Sequence, residues 1–144
     1  MLGKIDATDV EEAIQILMES DKLPYNIARS ILIKCISDPS YMIYIPCEGC
    51  LIIFRRATDL MVEVHICISK PSRDLRRSLK VLMSDLHNTT KYKTIIAYLP
   101  VNLKSLERLV VHLGFQQCGY LKDSTISQEQ IQDLKIFVIH LEEI

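Results

Sequence analysis

The chain has 144 residues, of which 49% are hydrophobic and 24% are charged, and its formal net charge is −1 at pH 7. These totals predict one globular domain over residues 1–144 and argue against disorder or a general attraction to nucleic acid. No apolar run reaches the length of about 18 residues that a membrane span needs, so no membrane association is expected. The five cysteines are scattered and odd in number, which indicates free thiols in a reducing compartment and hence a cytoplasmic protein.

Two helices are predicted at the start of the chain. Thr8 and Glu11 have the spacing of a capping box, and apolar residues then recur at helical spacing, so the first helix is expected from about residue 9 to residue 20. Pro24 is suited to open a second helix, and Pro39 lies beyond its end.

Three strands are predicted next. The segments SYMIYIP and CLIIFRRA are joined by CEGC around Gly49, and DLMVEVHICIS follows after a short polar turn. We expect these strands to form an antiparallel meander. Alternation along the third strand predicts Glu63, His65 and Cys67 on one side. Its other side is predicted to carry Val62, Val64, Ile66 and Ile68.

The second half of the chain alternates helices and strands. A helix is predicted over residues 73–88, followed by the strand YKTIIAYLP and the helix NLKSLERLVVHLGF, with Asn102 as its N-cap and Gly114 at its end. Two final strands, FQQCGYLK and LKIFVIHLEE, are separated by a polar loop containing DSTISQEQIQD. The strand–helix–strand crossover implies one parallel strand pair. The predicted fold class is therefore α/β (α+β), a mixed and mostly antiparallel sheet with helices on both faces.

This order of elements resembles the GCN5-related N-acetyltransferase (GNAT) superfamily from about residue 5 onward. One motif is LPVNLKSLERLVVHLGFQQCGY, in which an Asn, an amphipathic helix and Gly-Phe follow one another at nearly the family spacing. The other is VEVHICISKPSRDLRRSL, which is similar to the family's strand and phosphate-binding helix start. Small tailed-phage head-assembly and internal virion proteins with a GNAT-like sequence look similar too.

The resemblance implies that acetyl-CoA is the co-substrate and that its pyrophosphate binds at the turn after the third strand. The family pattern Arg/Gln-x-x-Gly-x-Gly/Ala corresponds here to residues 73–78, RDLRRS. Arg73 and Ser78 fit this pattern, whereas Asp74 and Arg76 stand where glycine is common. The Arg76 side chain would either obstruct the phosphates or bind them directly. The alternative is a solvent-exposed helix start capped by Ser72.

The resemblance also implies roles for other parts of the chain. The backbone of residues 66–69, with Ile66, Ile68 and Ser69, would hold the pantetheine arm. The turn over residues 71–78, with Arg73, Arg76, Arg77 and Ser78, would hold the pyrophosphate. Asn102 matches a family residue that contacts the cofactor, although an N-cap role explains it equally well.

Acetyl transfer to an amine requires a base that accepts the amine proton. Glu63 and His65 are the candidates, and the alternative is that they are paired polar residues at the cleft of the sheet. The family's usual general acid is a Tyr midway along the last helix. Val110 occupies that position here, and His112 points to another face of the helix.

The C-x-x-C of CEGC is a candidate zinc-binding motif. Cys47, Cys50, Cys67 and His65 are ligand types that hold zinc tetrahedrally. A lone C-x-x-C is a weak signal, however, and Gly49 already explains the turn. No metal site is therefore predicted.

The resemblance implies an acyl-CoA-dependent N-acyltransferase that moves acetyl from acetyl-CoA directly to an unidentified amine. The alternative is a non-catalytic GNAT-like phage assembly, virion or partner-binding protein with a degraded CoA site, located in the host cytoplasm or the virion. A nucleic-acid partner is not expected, because the basic cluster from Lys70 to Lys80 lacks aromatic neighbours. The oligomeric state is left open, with a dimer as one option.

Overall fold

The computed structural model describes residues 9–143, and within them the chain forms four α-helices, six strands and a terminal 3-10 helix. The helices are α1 (Val10–Asp21), α2 (Tyr25–Ser37), α3 (Leu75–Thr89) and α4 (Lys104–His112). The strands are β1 (Tyr41–Cys47), β2 (Cys50–Thr58), β3 (Met61–Ile68), β4 (Thr94–Pro100), β5 (Gln116–Ser127) and β6 (Gln130–His140), and the 3-10 helix is Leu141–Glu143. No helix in this part of the chain is long and apolar enough to cross a bilayer.

The six strands form one sheet in the order β1-β2-β3-β4-β6-β5. Only β3 and β4 run parallel, and the other neighbouring strands are antiparallel. The parallel pair exists because α3 carries the chain back across the sheet between these two strands, as a parallel connection requires. The predicted fold class is confirmed.

Each face of the sheet buries its own hydrophobic core. Helices α3 and α4 pack on one face, against side chains that include Phe54, Val62 and Val64. Helices α1 and α2 pack on the other face, against side chains that include Ile53 and Cys67. The predicted alternation along β3 is thus confirmed. Burial of each large apolar side chain contributes about 1.5 to 3 kcal/mol to the stability of the fold.

Helix α1 begins where it is predicted, with Asp9 as its N-cap, and Thr8 of the predicted capping box lies outside the described residues. The N-caps of two other helices differ from the sequence predictions. Asp74, not Ser72, is the N-cap of α3, and the Ser72 hydroxyl accepts the Asp74 N–H at 3.3 Å. Leu103, not Asn102, is the N-cap of α4, because the turn after β4 continues to Leu103, whose N–H donates to the Pro100 carbonyl at 3.1 Å.

The prediction of a polar loop between the last two strands is wrong. The strands β5 and β6 continue through it to a two-residue turn at Gln128 and Glu129, whose φ angles are 53° and 66°. Left-handed residues at both positions are typical of tight hairpin turns. Ile126 and Ile131, which pair near the end of this hairpin, are 74% and 68% exposed. The usual burial of apolar side chains on one face of a sheet is therefore absent there.

Candidate active site

An opening in the sheet between β3 and β4 defines the candidate site. These strands pair only through Met61–Thr94, Val62–Ile95 and Glu63–Ile96. Residues 64–68 remain paired with β2 on their other side, while β4 continues along β6 as far as Pro100. The backbone groups of residues 64–68 that point towards β4 therefore have no partner strand within the described chain. The predicted pantetheine-binding residues Ile66 and Ile68 lie on this free edge.

A small apolar cavity of about 20 Å³ lies beside the opening. It is bounded by β2, β3 and β4 on one side and by α3 and the end of α4 on the other. Its walls are Ile52, Phe54, Val64, Ile66, Leu79, Leu82, Met83, Ile95, Leu113 and Phe115. A cavity with only apolar walls stays dry. The packing beside the free edge of β3 is therefore apolar.

Ser69 connects the free edge of β3 to the hairpin between β1 and β2. Its N–H and its hydroxyl both donate to the Gly49 carbonyl, at 2.8 and 3.2 Å. Gly49 has a φ angle of 78°, and a Cβ atom there would lie 2.6 Å from Cγ of Lys70. The β1–β2 hairpin can approach Lys70 so closely only with glycine at this position. These contacts place the start of the following turn.

The first turn of α3 presents backbone donors to solvent. The N–H of Leu75 donates to Ser72 at 3.4 Å, and the N–H of Ser78 donates to Asp74 at 2.8 Å. The N–H groups of Arg76 and Arg77 have no acceptor among residues 9–143. Free N–H groups and the positive end of the helix dipole together favour an anion here.

The charges around this helix start also favour an anion. The Asp74 carboxylate lies 2.7 Å from the Arg77 guanidinium, so its negative charge is compensated locally. Arg73 and Arg76 form no ion pair within the described part of the chain. Arg76 lines a shallow surface depression together with Arg77, Lys80, Val81 and Ser84. Arg76 is thus an available cation at the start of α3.

Asn102 lies in the turn at the carboxyl end of β4. Its Nδ2 donates to Oε1 of Gln128, at the tip of the β5–β6 hairpin, at 3.1 Å. Its Oδ1 is buried and has no hydrogen-bond partner among the described residues. A buried acceptor without a partner is uncommon in folded proteins and is available to a donor on a ligand.

Glu63 is the last β3 residue that pairs with β4, so it stands where the two strands separate. Its Oε2 lies 2.7 Å from the guanidinium of Arg55, the residue directly opposite on β2. The Glu63 side chain is 32% exposed, so solvent reaches the carboxylate. Sequence reasoning did not single out Arg55, because its pairing with Glu63 depends on the register between two strands.

His65 contacts Asp21, the last residue of α1. The His65 Nε2 lies 2.9 Å from Oδ2 of Asp21. Hydrogen bonds to Asp21 and Cys67 raise the pKa of His65 to about 11, so the imidazole is protonated at neutral pH. Burial alone would raise the pKa of Asp21, but the contacts with His65 outweigh it and lower that pKa. Because 57% of the His65 side chain is exposed, solvent screens this ion pair.

Cys67 lies behind this ion pair and is only 1% exposed. Its Sγ and the nearest ligand atoms of Asp21 and His65 all lie within 4.8 Å of one another. Cys47 and Cys50 of the C-x-x-C motif face each other across the β1–β2 hairpin and are not part of this group. The five cysteines form no disulfide with one another within the described residues.

Val110 occupies the α4 position where the resemblance predicts a tyrosine. It is completely buried in the core beneath the sheet. His112 is exposed on another side of the helix. The tyrosine that the resemblance predicts is therefore absent at residue 110.

The arrangement of the sheet and helices is the GNAT fold. A single-residue mutant of spermidine N-acetyltransferase SpeG from Vibrio cholerae superposes with a TM-score of 0.81 at 13% identity, over 99% of this chain and 94% of that chain. A chimera of Vibrio cholerae SpeG and hSSAT gives 0.80 at 14% identity, over 99% of this chain and 97% of the other. A dodecameric Vibrio cholerae spermidine N-acetyltransferase in an intermediate state gives 0.78 at 13% identity, with 99% and 94% covered.

No family model matches the chain, and no curated protein sequence matches it. At such low identity the structural likeness establishes the fold and leaves the activity to be argued from the site. The three neighbours lend no support to the phage assembly subgroup.

Proposed function

We propose that this protein is an acetyl-CoA-dependent N-acetyltransferase. The observation that carries the proposal is the opening between β3 and β4, which leads from the carboxylate of Glu63 to the basic start of α3. An extended acyl-CoA fits such a path, because its thioester would lie near Glu63 and its pyrophosphate near residues 73–78.

The free edge of β3 is suited to the pantetheine arm. This arm is an extended chain with two amide groups, and the backbone N–H and C=O groups of residues 64–68 match amides as a neighbouring strand would. Ile66 and Ile68 would contribute backbone groups on this edge. Ser69 would position the turn through Gly49, since both of its donors are already bonded there.

The start of α3 would hold the pyrophosphate by charge more than by close backbone approach. The free N–H groups of Arg76 and Arg77 lie at the N-terminal end of the helix, and the guanidinium groups of Arg73 and Arg76 would supply charge-assisted hydrogen bonds. The Ser78 N–H donates to the Asp74 carbonyl, so Ser78 would offer its hydroxyl to the pyrophosphate. Asn102 would offer its unpaired Oδ1 to a donor on the cofactor.

In the proposed reaction the amine nitrogen attacks the thioester carbonyl carbon, and the carbon–sulfur bond of acetyl-CoA breaks. Glu63, directly or through a water molecule, accepts the proton that the amine loses. His65 is protonated at neutral pH because of its contact with Asp21 and cannot accept a further proton, so Glu63 is the proposed base. With Val110 in place of a tyrosine, the departing thiolate takes its proton from water. Positioning of the two substrates then supplies most of the acceleration.

The acceptor is proposed to be a small molecule or side chain with a free amine. Spermidine is the first compound to test, because it is the substrate in the names of the structural neighbours. A cytoplasmic protein remains the expectation from the cysteine pattern.

A non-catalytic GNAT-like protein is the second candidate. The buried Val110 and the arginine at residue 76 favour it, since both depart from the family pattern. Such a protein would bind a partner, or bind acetyl-CoA without transferring acetyl. The phage assembly role belongs to this candidate alone.

Thermal unfolding with acetyl-CoA tests the proposal. At about 100 times its dissociation constant, the ligand should stabilise the fold by about 2.7 kcal/mol. For a chain of this length we expect a rise in Tm of a few degrees. Release of free CoA thiol in the presence of spermidine and other amines then tests transfer. An unchanged Tm at millimolar acetyl-CoA would contradict the proposal, and binding without thiol release for any amine would favour the second candidate.

A further inference from the structure

We propose that Asp21, His65 and Cys67 form a binding site for a divalent transition-metal ion, with Zn²⁺ as the best chemical match. The site lies on the face of the sheet covered by α1, at the end of that helix. It does not depend on the proposed acetyltransferase activity.

The ligand atoms lie close enough together to meet one metal ion after small movements of the side chains. The carboxylate oxygen, imidazole nitrogen and thiol sulfur lie within 4.8 Å of one another. Bonds of about 2.0 to 2.3 Å in a tetrahedral zinc site place neighbouring ligand atoms about 3.3 to 3.8 Å apart. Oδ2 of Asp21 and Nε2 of His65 are 2.9 Å apart. They would separate by about half an ångström to admit the ion.

Rigid elements hold two of the three ligands. His65 and Cys67 are two residues apart on β3, so both side chains leave the same face of the strand. The strand is fixed there by pairing with β2, where His65 faces Ile53 and Cys67 faces Leu51. Two ligands with this spacing therefore need no rearrangement of the backbone to meet one ion.

The end of α1 supplies the third ligand in a defined position. Lys22 has a φ angle of 56°, and the N–H groups of Lys22 and Leu23 both donate to the Met18 carbonyl, which closes the helix directly after Asp21. The Ser20 hydroxyl donates to Oδ1 of Asp21 at 2.9 Å and leaves Oδ2 directed at His65. Hydrogen bonds of this kind orient carboxylate ligands in metal sites.

The ligand types select the ion. A thiolate, an imidazole and a carboxylate together suit Zn²⁺ better than the hard ions Mg²⁺ or Ca²⁺, which prefer oxygen ligands. Cys67 is buried behind the pair, whereas 57% of the His65 side chain is exposed. An ion would enter from the His65 side, and its fourth position would remain open to water. Binding releases the Cys67 thiol proton and the His65 imidazolium proton to solvent.

Cobalt titration of the full chain tests the site, because Co²⁺ replaces Zn²⁺ and absorbs light. After removal of metal with a chelator, and in a non-thiol reductant, we expect one Co²⁺ per chain and a thiolate-to-cobalt absorption band. Competition with Zn²⁺ should remove this band. Cys67→Ser should abolish the absorption band. His65→Ala or Asp21→Asn should weaken Co²⁺ binding by about 100-fold or more. Changes to residues that only contact a metal ligand typically cost about 10- to 100-fold.

Matched cysteine variants distinguish this site from adventitious binding. Cys118→Ser removes the exposed thiol, and the double variant Cys47→Ser/Cys50→Ser removes the hairpin pair. Both should retain the band. Lack of Co²⁺ binding by the parent chain, or a band that survives Cys67→Ser, would overturn the proposal. Thermal unfolding without metal checks the fold of each variant, and Asp21→Asn, which keeps the side-chain shape, provides the test if Cys67→Ser does not fold.

Discussion

Oδ2 of Asp21 lies 2.9 Å from Nε2 of His65, although the two residues are 44 positions apart in the sequence. This ion pair joins the end of α1 to the middle of β3, next to the opening between β3 and β4. The contact occupies the His65 imidazole, which the sequence suggested as a base. Together with the buried Cys67 thiol, the two residues form a group of three metal-ligand types. The same contact thus shapes both proposals for this protein.

With a chelator present to remove metal, the Asp21–His65 ion pair should make the free energy of unfolding depend on pH. Because the folded pKa of His65, about 11, lies above the usual value of about 6.5, the folded state binds the proton more tightly than the unfolded chain. The stabilisation is therefore complete below about pH 6.5 and decreases as the pH rises towards the folded pKa. Since the pair is partly exposed, we expect His65→Gln to cost only about 1 kcal/mol near pH 6.

Urea unfolding from pH 6 to pH 9 measures this effect. The difference in free energy of unfolding between the parent and His65→Gln should shrink as the pH rises. In an Asp21→Asn background, the same His65→Gln substitution should show little of this trend. A trend of equal size in that background would mean that Asp21 is not the source of the shift.

Arg76 is predicted to bind the pyrophosphate of acetyl-CoA rather than obstruct it. Its guanidinium has no ion-pair partner among the described residues and lies beside free backbone N–H groups at the start of α3. Loss of a charge-assisted hydrogen bond at an exposed site should cost about 1.4 kcal/mol, which is about tenfold in affinity. We expect Arg76→Ala to raise the Kd of acetyl-CoA by this factor in a calorimetric titration.

Lys34→Ala is the matched control for Arg76→Ala, because Lys34 is an exposed cation on α2, on the other face of the sheet. It should leave the Kd unchanged. Tighter binding by Arg76→Ala would show that the arginine obstructs the phosphates.

Glu63 is predicted to accept the amine proton. Glu63→Gln keeps the shape of the side chain but removes the base, so kcat should fall by about 10² to 10⁴-fold. The Kd of acetyl-CoA should change little, since the pantetheine would bind the backbone of β3. Steady-state kinetics with the best amine acceptor, together with acetyl-CoA binding, separate the two effects.

Arg55→Gln is the companion variant, because it removes the ion-pair partner of Glu63 and leaves the carboxylate in place. It should retain most of the activity that Glu63→Gln loses. Equal kcat values for the parent and Glu63→Gln would exclude Glu63 as the base.

Val110→Tyr is predicted to destabilise the protein without improving transfer. Val110 is completely buried beneath the sheet, so a larger ring must displace its neighbours. Overpacking of this kind costs about 1 to 3 kcal/mol. Denaturant unfolding measures the loss, and Val110→Ile, a smaller enlargement, should cost less. A stable Val110→Tyr variant with faster thiol release would instead show that the site accepts the family's general acid.

Much of the fold could be predicted from local patterns. Helical spacing after Asp9, the glycine turn at Gly49 and the Gly-Phe that follows α4 were sufficient to order the elements. The strand–helix–strand crossover then implied the parallel pair. Helix starts were less accurate, because Ser72 and Asn102 are good capping residues that the chain uses in turns instead.

By itself, the sequence determined the type and order of the elements and the two faces of β3, because periodicity and turn residues act over a few neighbouring positions. The tertiary structure decided which distant groups meet: Asp21 with His65, and Arg55 with Glu63. It also extended the β5–β6 hairpin through a segment whose polarity indicates a loop. These outcomes depend on strand register and on the packing of α1 against the sheet, which no local pattern specifies.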